Sequence, residues 1–309
     1  MTRPNFIIGG VNKAGTSSVF AYLNSHPDAC GSSRKEVNFF RTKYADGNIP
    51  SLNAYEAYFK HCAPDKKVIF EASPLYLQRG APVARQILDM NPDVRLLFVL
   101  REPGSRMYSF YNFRAASNKL KSDISFDEYV DKCFAYTVDG ESASSLGLTS
   151  KQLSCLETGR YSQYLREFLK VAPRKQIKVM FLENLKASPH RFMSELCSYL
   201  GIDGTFYSDF QFRKVNETID TKSKKMHRLA LRLNNRLETF FHRKPALKSQ
   251  LVRIYKFINR KSRKNDSIPI SVQEKLREFY REPNADLAAL LDGDENLPNW
   301  VRSNDSVRP

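Results

Sequence analysis

The run Gly9-Gly10-Val11-Asn12-Lys13-Ala14-Gly15-Thr16-Ser17-Ser18 joins a short apolar stretch to a segment with helical spacing. Glycines let a backbone turn tightly and approach a ligand closely. A helix that starts just beyond them points amide hydrogens, and about half a positive charge, at whatever sits there. That is a site for an anion such as a phosphate. Gly10 and Gly15 have the separation of the nucleotidase loop G-x-x-x-x-G-K-[ST], but Thr16 stands where its lysine belongs and the lysine appears earlier, at Lys13. The positive charge thus moves from the helix start into the loop. The longest buried-looking run, Val94 to Leu100, ends in Arg101 rather than in an acid that would hold magnesium. Group transfer at such a site would lean on cationic side chains.

Arg101 opens a second cluster, Arg101-Glu102-Pro103-Gly104-Ser105-Arg106-Met107-Tyr108-Ser109-Phe110-Tyr111. Ser109 lies about two helical turns past Arg101, so both can reach one phosphate, the arginine as a bidentate fork. Arg106 reads either as a third contact or as a local packing or pairing residue. A transfer reaction also needs a base for the acceptor proton. Ser33-Arg34-Lys35-Glu36-Val37-Asn38-Phe39-Phe40 offers Glu36 beside Lys35. His26 and His61 are lesser alternatives. Glu71-Ala72-Ser73-Pro74-Leu75-Tyr76 supplies further polar groups at the end of another apolar run.

Taken together, these stretches resemble sulfotransferases that use 3′-phosphoadenosine-5′-phosphosulfate (PAPS), of the heparan-sulfate type and its bacterial-like branch. Lys13-Ala14-Gly15-Thr16-Ser17-Ser18 matches that family's 5′-phosphosulfate loop, K-x-G-T-[ST]-[ST]. The stretch from Arg101 to Tyr111 is similar to the family's 3′-phosphate segment, R-[DE]-P-x-x-R-x-x-S-x-Y. Lys35 to Phe40 resembles K-E-x-x-F-F, whose glutamate is the catalytic base. The resemblance therefore implies PAPS as co-substrate, PAP as product, no metal, and catalytic roles for Lys13, Glu36 and Lys35. It implies donor contacts from Lys13, Ala14, Gly15, Thr16, Ser17, Ser18, Arg101 and Ser109. It adds Tyr161, from Gly159-Arg160-Tyr161, and Lys214 and Asn216, from Lys214-Val215-Asn216. On the acceptor side it implies Glu36, Phe39, Ser73 and Tyr76. Some members carry a catalytic lysine where this chain has Ala72, so Lys35 or Arg41 would have to supply that charge. Asn296-Leu297-Pro298-Asn299-Trp300 resembles the D-L-S-x-W that closes bacterial members.

Several elements must position these residues. Phe6 to Gly10, Lys67 to Glu71, Val94 to Leu100 and Ile177 to Leu182 read as short buried strands. Thr16 to Asn24, Pro82 to Met90, Pro103 to Asn118, Tyr161 to Val171, Pro189 to Leu200 and Val272 to Leu291 read as helices, the fifth ended by Gly201. Strands alternating with helices predict a parallel α/β sheet. The resemblance sharpens this to a P-loop-like three-layer fold with a central parallel sheet flanked by helices and a helical, basic C-terminal part. The expected division is one domain over 1–309, with a nucleotide-binding core at 5–213 and helices at 214–300.

The chain has 309 residues and a net charge of +16, and the segment from Lys222 to Lys264 holds fifteen Lys/Arg against Glu238 alone, or +14. Such a segment suits an anionic acceptor, leaves peripheral contact with a membrane surface open, or is simply a solvated face. No nucleic-acid-binding signature accompanies it, so no nucleic acid is expected. The acceptor class stays open between a glycan and a small molecule. The five cysteines, Cys30, Cys62, Cys133, Cys155 and Cys197, are scattered and odd in number. They suggest neither a disulfide framework nor a zinc site. With Met1 as the native start, a cytoplasmic protein is expected. Two competing functions remain: a magnesium-dependent P-loop kinase and a non-catalytic polyanion-binding protein.

Overall fold

The computed structural model describes residues 3–41, 51–117, 119–120, 124–213, 268–294 and 296–302. The chain divides into two compact units. The first is Met1–Arg106, Glu157–Asn216 and Glu274–Pro309, and the second is Met107–Leu156 and Glu217–Gln273.

In chain order the first unit begins with β1 (Phe6–Gly10), α1 (Thr16–Leu23), β2 (Ala29–Gly31), α2 (Leu52–Glu56), β3 (Val68–Ala72), α3 (Gly80–Met90) and β4 (Arg95–Leu100). Helix α4 (Pro103–Ala116) runs on into the second unit, which also holds α5 (Phe126–Thr137) and α6 (Ser150–Leu153). The chain returns with α7 (Tyr161–Leu169), β5 (Ile177–Phe181), α8 (Leu182–Ala187) and α9 (Pro189–Leu200), and α10 (Ile270–Leu290) ends in the first unit.

The five strands form one sheet in the order β2-β3-β1-β4-β5, every pairing parallel. Parallel strands covered on both faces need apolar side chains on both. Phe6, Ile7 and Ile8 of β1 and Leu97, Phe98 and Val99 of β4 are accordingly all inaccessible. The core that flanks them takes Val19 and Leu23 from α1, Val83 and Ile87 from α3, Leu165 and Phe168 from α7, and Leu196 from α9. The chain order reverses at β1, between β3 and β4, and ligands of open parallel sheets bind at the strand ends beside such a point.

The second unit has its own buried residues, including Phe126, Tyr129, Val130, Cys133 and Leu153. Two tyrosines stitch it together: Tyr111 donates to the Ile124 carbonyl at 2.7 Å and Tyr129 to the Gln152 carbonyl at 2.6 Å.

The parallel α/β fold is as the sequence leads one to expect. By contacts, the tail from Glu274 groups with the sheet, and Met107–Leu156 falls in the second unit. The expected basic helices between 214 and 267, together with Lys214 and Asn216, lie outside the described residues. The cysteine expectation needs correction as well. Cys30 and Cys62 form a disulfide with Cα atoms 5.7 Å apart, while Cys133, Cys155 and Cys197 are free and buried. The pair spans 32 residues and has no motif spacing. It becomes legible only when β2 is placed at the sheet edge next to the turn around Phe59.

Candidate active site

The anion-binding loop grows directly out of β1. The Val11 amide donates to the Val99 carbonyl at 2.8 Å, tying the loop to β4. Lys13 then adopts φ 66° and Gly15 φ 84°, both left-handed. At Gly15 that conformation favours glycine, and a side chain there would also sit 2.7 Å from the Leu182 Cδ1 atom. Gly15 is the N-cap of α1 and no side chain caps the helix. The first-turn amides and the helix dipole are therefore directed at the space the loop encloses.

Two arginines support the loop. Arg101 leaves the end of β4 and donates through Nη1 to the Lys13 carbonyl at 3.1 Å. Arg106 is 1% exposed and bonds Asn12 Oδ1 at 3.0 Å and Thr158 Oγ1 at 2.9 Å. Its guanidinium lies 5.9 Å from the Tyr161 ring centroid, and the Tyr161 hydroxyl donates to the Arg101 carbonyl at 2.8 Å. Burial lowers the pKa of Arg101, opposed by Glu183, Tyr161 and Glu102. An arginine remains charged under such a shift. Helix α4 contrasts with α1. Glu102 caps it through Gly104 N at 2.8 Å and Ser105 N at 2.5 Å. An anion near β4 thus meets Arg101 rather than helix amides.

The carboxylate loop lies along the end of β3. The Glu36 amide donates to the Ala72 carbonyl at 2.9 Å and the Asn38 amide to Ser73 Oγ at 2.9 Å. Glu36 and Asn38 both have positive φ, 62° and 53°. The Glu36 side chain is 56% exposed and pairs with Lys35 Nζ at 3.2 Å. Beneath the loop is Glu71, fully buried. It accepts from Ser73 Oγ at 2.6 Å, Tyr55 Oη at 2.8 Å and Tyr76 Oη at 2.9 Å. Burial raises the Glu71 pKa, while the three hydroxyl donors and Lys35 pull it back down.

The structure thus gathers Lys13, Ala14, Gly15, Thr16, Ser17 and Ser18 in one loop, supports that loop with Arg101, and presents Lys35 and Glu36 on an exposed turn. Other expected contacts are placed differently. Phe39 packs on Tyr55 with ring centroids 4.4 Å apart. Ser73 and Tyr76 have no exposed surface and commit their hydroxyls to Glu71, so neither lines an open acceptor cleft. Tyr161 is buried, and its hydroxyl is committed to the Arg101 carbonyl. Ser109 falls on the part of α4 that belongs to the second unit. His26 is no base: its Nδ1 accepts from Asp28 N at 3.0 Å, and its Nε2 bonds the Asp203 carbonyl at 2.8 Å. His61 sits beside the disulfide, 3.6 Å from Cys30 Sγ. Glu71 and Arg106 are the residues whose tasks motif spacing does not show. Glu71 heads a segment already singled out, but nothing in its spacing shows which side chains turn inward.

A parallel sheet that brings an anion-binding loop, an arginine and an exposed carboxylate to its strand ends has the architecture of a nucleotide-dependent group transferase. Residues 3–286 match the sulfotransferase domain family, and the chain belongs to that family. Bifunctional heparan sulfate N-deacetylase/N-sulfotransferase 2 of Homo sapiens is 26% identical over 204 residues, covering 64% of this chain and 22% of that protein. The membrane-associated sulfotransferase kil1 of Dictyostelium discoideum is 33% identical over 110 residues, covering 36% of this chain and 23% of kil1. The chain therefore spans less than a quarter of the length of these two relatives. A sulfotransferase from Alicyclobacillus acidocaldarius shares the fold, with a TM-score of 0.65, 23% identity, and coverage of 98% of this chain and 100% of that one.

Proposed function

We propose that this sulfotransferase moves the sulfonate of PAPS to a hydroxyl or amine of an acceptor. The observation that carries the reading is the β1 loop, where Gly15 begins a helix that no side chain caps, with Lys13 in the turn before it. The residues fit the two ends of such a donor: the loop offers backbone amides and Lys13 to the 5′-phosphosulfate, and Arg101 adds a cation at the neighbouring strand end for the 3′-phosphate.

In this reading Lys13 stabilises charge that gathers on the departing phosphate. Arg101 holds the donor's 3′-phosphate. Glu36 takes the acceptor proton as the nucleophile attacks sulfur, and its exposure leaves it open to an incoming acceptor. Lys35 supplies the positive charge missing at Ala72. It lies within electrostatic reach of both Glu36 and Glu71, whereas Arg41 commits its Nε to the Asn38 carbonyl at 2.7 Å. The names of the heparan sulfate relatives favour a glycan amine or hydroxyl as acceptor.

The test is transfer of radioactive sulfur from PAPS to an N-deacetylated glycan, with a small phenol as the alternative acceptor. Lys13→Ala and Glu36→Gln should each lower turnover by on the order of a hundredfold or more. Near-normal turnover in Glu36→Gln would remove it as the base.

A further inference from the structure

The carboxylate loop puts Glu36 in a backbone conformation that a glutamate rarely adopts. Glu36 and Asn38 both occupy the left-handed region, at φ 62° and 53°. Non-glycine residues are uncommon there, a glutamate more so than an asparagine, and they persist where surrounding contacts hold them. Three amides provide the enforcement. Glu36 N donates to the Ala72 carbonyl, Asn38 N to Ser73 Oγ, and Phe40 N to Tyr76 Oη at 3.3 Å.

The first acceptor is fixed backbone. The other two are hydroxyls, and a hydroxyl can rotate. Its lone pairs face an amide dependably only when its hydrogen is committed elsewhere. Glu71 takes both hydrogens, from Ser73 Oγ at 2.6 Å and from Tyr76 Oη at 2.9 Å. Tyr55, on α2, adds a third donor at 2.8 Å. Ser73 and Tyr76 each receive one amide and give one hydrogen to the same carboxylate. The chain of bonds polarises each hydroxyl and strengthens its hold on the loop.

We infer that Glu71 is the positioning residue for the base, fixing Asn38 through Ser73 and Phe40 through Tyr76 so that Glu36 is presented in one orientation. This rests on the reading that Glu36 is the base. Glu71 itself is sealed from the acceptor, so its action on turnover passes through Glu36.

A cycle of variants tests this: Ser73→Ala, Glu36→Gln and the double variant, each measured for kcat, for KM of PAPS, and for PAP binding by calorimetry. A reacting group displaced by about 1 Å can cost as much as a hundredfold. Ser73→Ala alone should therefore lower kcat by roughly ten- to a hundredfold, leaving KM for PAPS and PAP affinity unchanged. In the Glu36→Gln background it should cause no further loss. Tyr76→Phe, which keeps the ring and removes only the hydroxyl, should repeat the pattern through Phe40 and serves if Ser73→Ala does not fold. The same fold-loss in both backgrounds would show a role independent of Glu36 and overturn the inference while leaving the base assignment intact. Full activity in Glu36→Gln would overturn the base assignment and the inference with it.

Discussion

Glu71 and Arg106 are the two formally charged side chains that are fully buried among the described residues, and each lies behind one half of the site. Arg106 braces the anion loop through Asn12, and Glu71 braces the carboxylate loop through two hydroxyls. Burying a charge is costly unless it is hydrogen-bonded: Glu71 accepts three hydroxyls, and Arg106 bonds through Nη1 and Nη2. The Glu71 pKa is raised by burial, with Tyr55, Tyr76 and Lys35 as its charged or titratable neighbours. Folded Glu71 therefore binds its proton at a pH where the unfolded chain has lost it. Its contribution to stability becomes less favourable as pH rises through that window and recovers as pH falls back toward the ordinary carboxyl range. Glu71→Gln lacks this proton. Urea unfolding across the acidic range should show the wild type gaining stability relative to the variant on acidification. Parallel pH profiles would show that Glu71 does not titrate differently in the folded state. At this scale Lys13, Arg101 and Glu36 stand out in the sequence because they sit at motif spacing. Ser73 and Tyr76 stand out as motif members, but spacing does not reveal that their hydroxyls face inward to Glu71.

Helices α1 and α4 follow neighbouring strands, yet their N-termini do opposite things. Gly15 leaves α1 open to an anion, while Glu102 closes α4 with its own carboxylate. The central strands could be read from unbroken apolar runs, and the start and end of α9 from Pro189 and Gly201. Strand β2 has only three residues, too few to show a pattern, and α8 follows β5 without any break. Helix α5 is capped by Ser125, which accepts from Glu128 N three residues on. Missing β2 also concealed the disulfide. A bridge that closes a 32-residue separation should stabilise by roughly 3–4 kcal/mol on a chain-entropy account. Reduction should thus lower the urea midpoint of the wild type and leave a Cys30→Ser/Cys62→Ser variant unaffected. An unchanged wild-type midpoint would show that the bridge does not contribute to stability.

Across the whole molecule, the sulfotransferase match over residues 3–286 includes both compact units, although every described strand, the anion loop and the carboxylate loop belong to the first. The net charge of +16 is concentrated in a segment outside the described residues. No described helix is long and apolar enough to cross a membrane. The alternation of strands and helices announced the parallel sheet, because it follows from local periodicity. The partition into units did not show, because it depends on contacts between distant stretches such as the tail from Glu274 and the sheet. The central claim is that the β1 loop and Arg101 bind a PAPS-type donor. Calorimetry without magnesium tests it directly, comparing adenosine 3′,5′-bisphosphate with ATP on the wild type and on Arg101→Ala. The account predicts binding of the bisphosphate in preference to ATP, weakened at least tenfold in Arg101→Ala, as loss of a charge-assisted phosphate contact of about 1.5–3 kcal/mol requires. Preference for ATP, or bisphosphate binding that ignores Arg101, would contradict it.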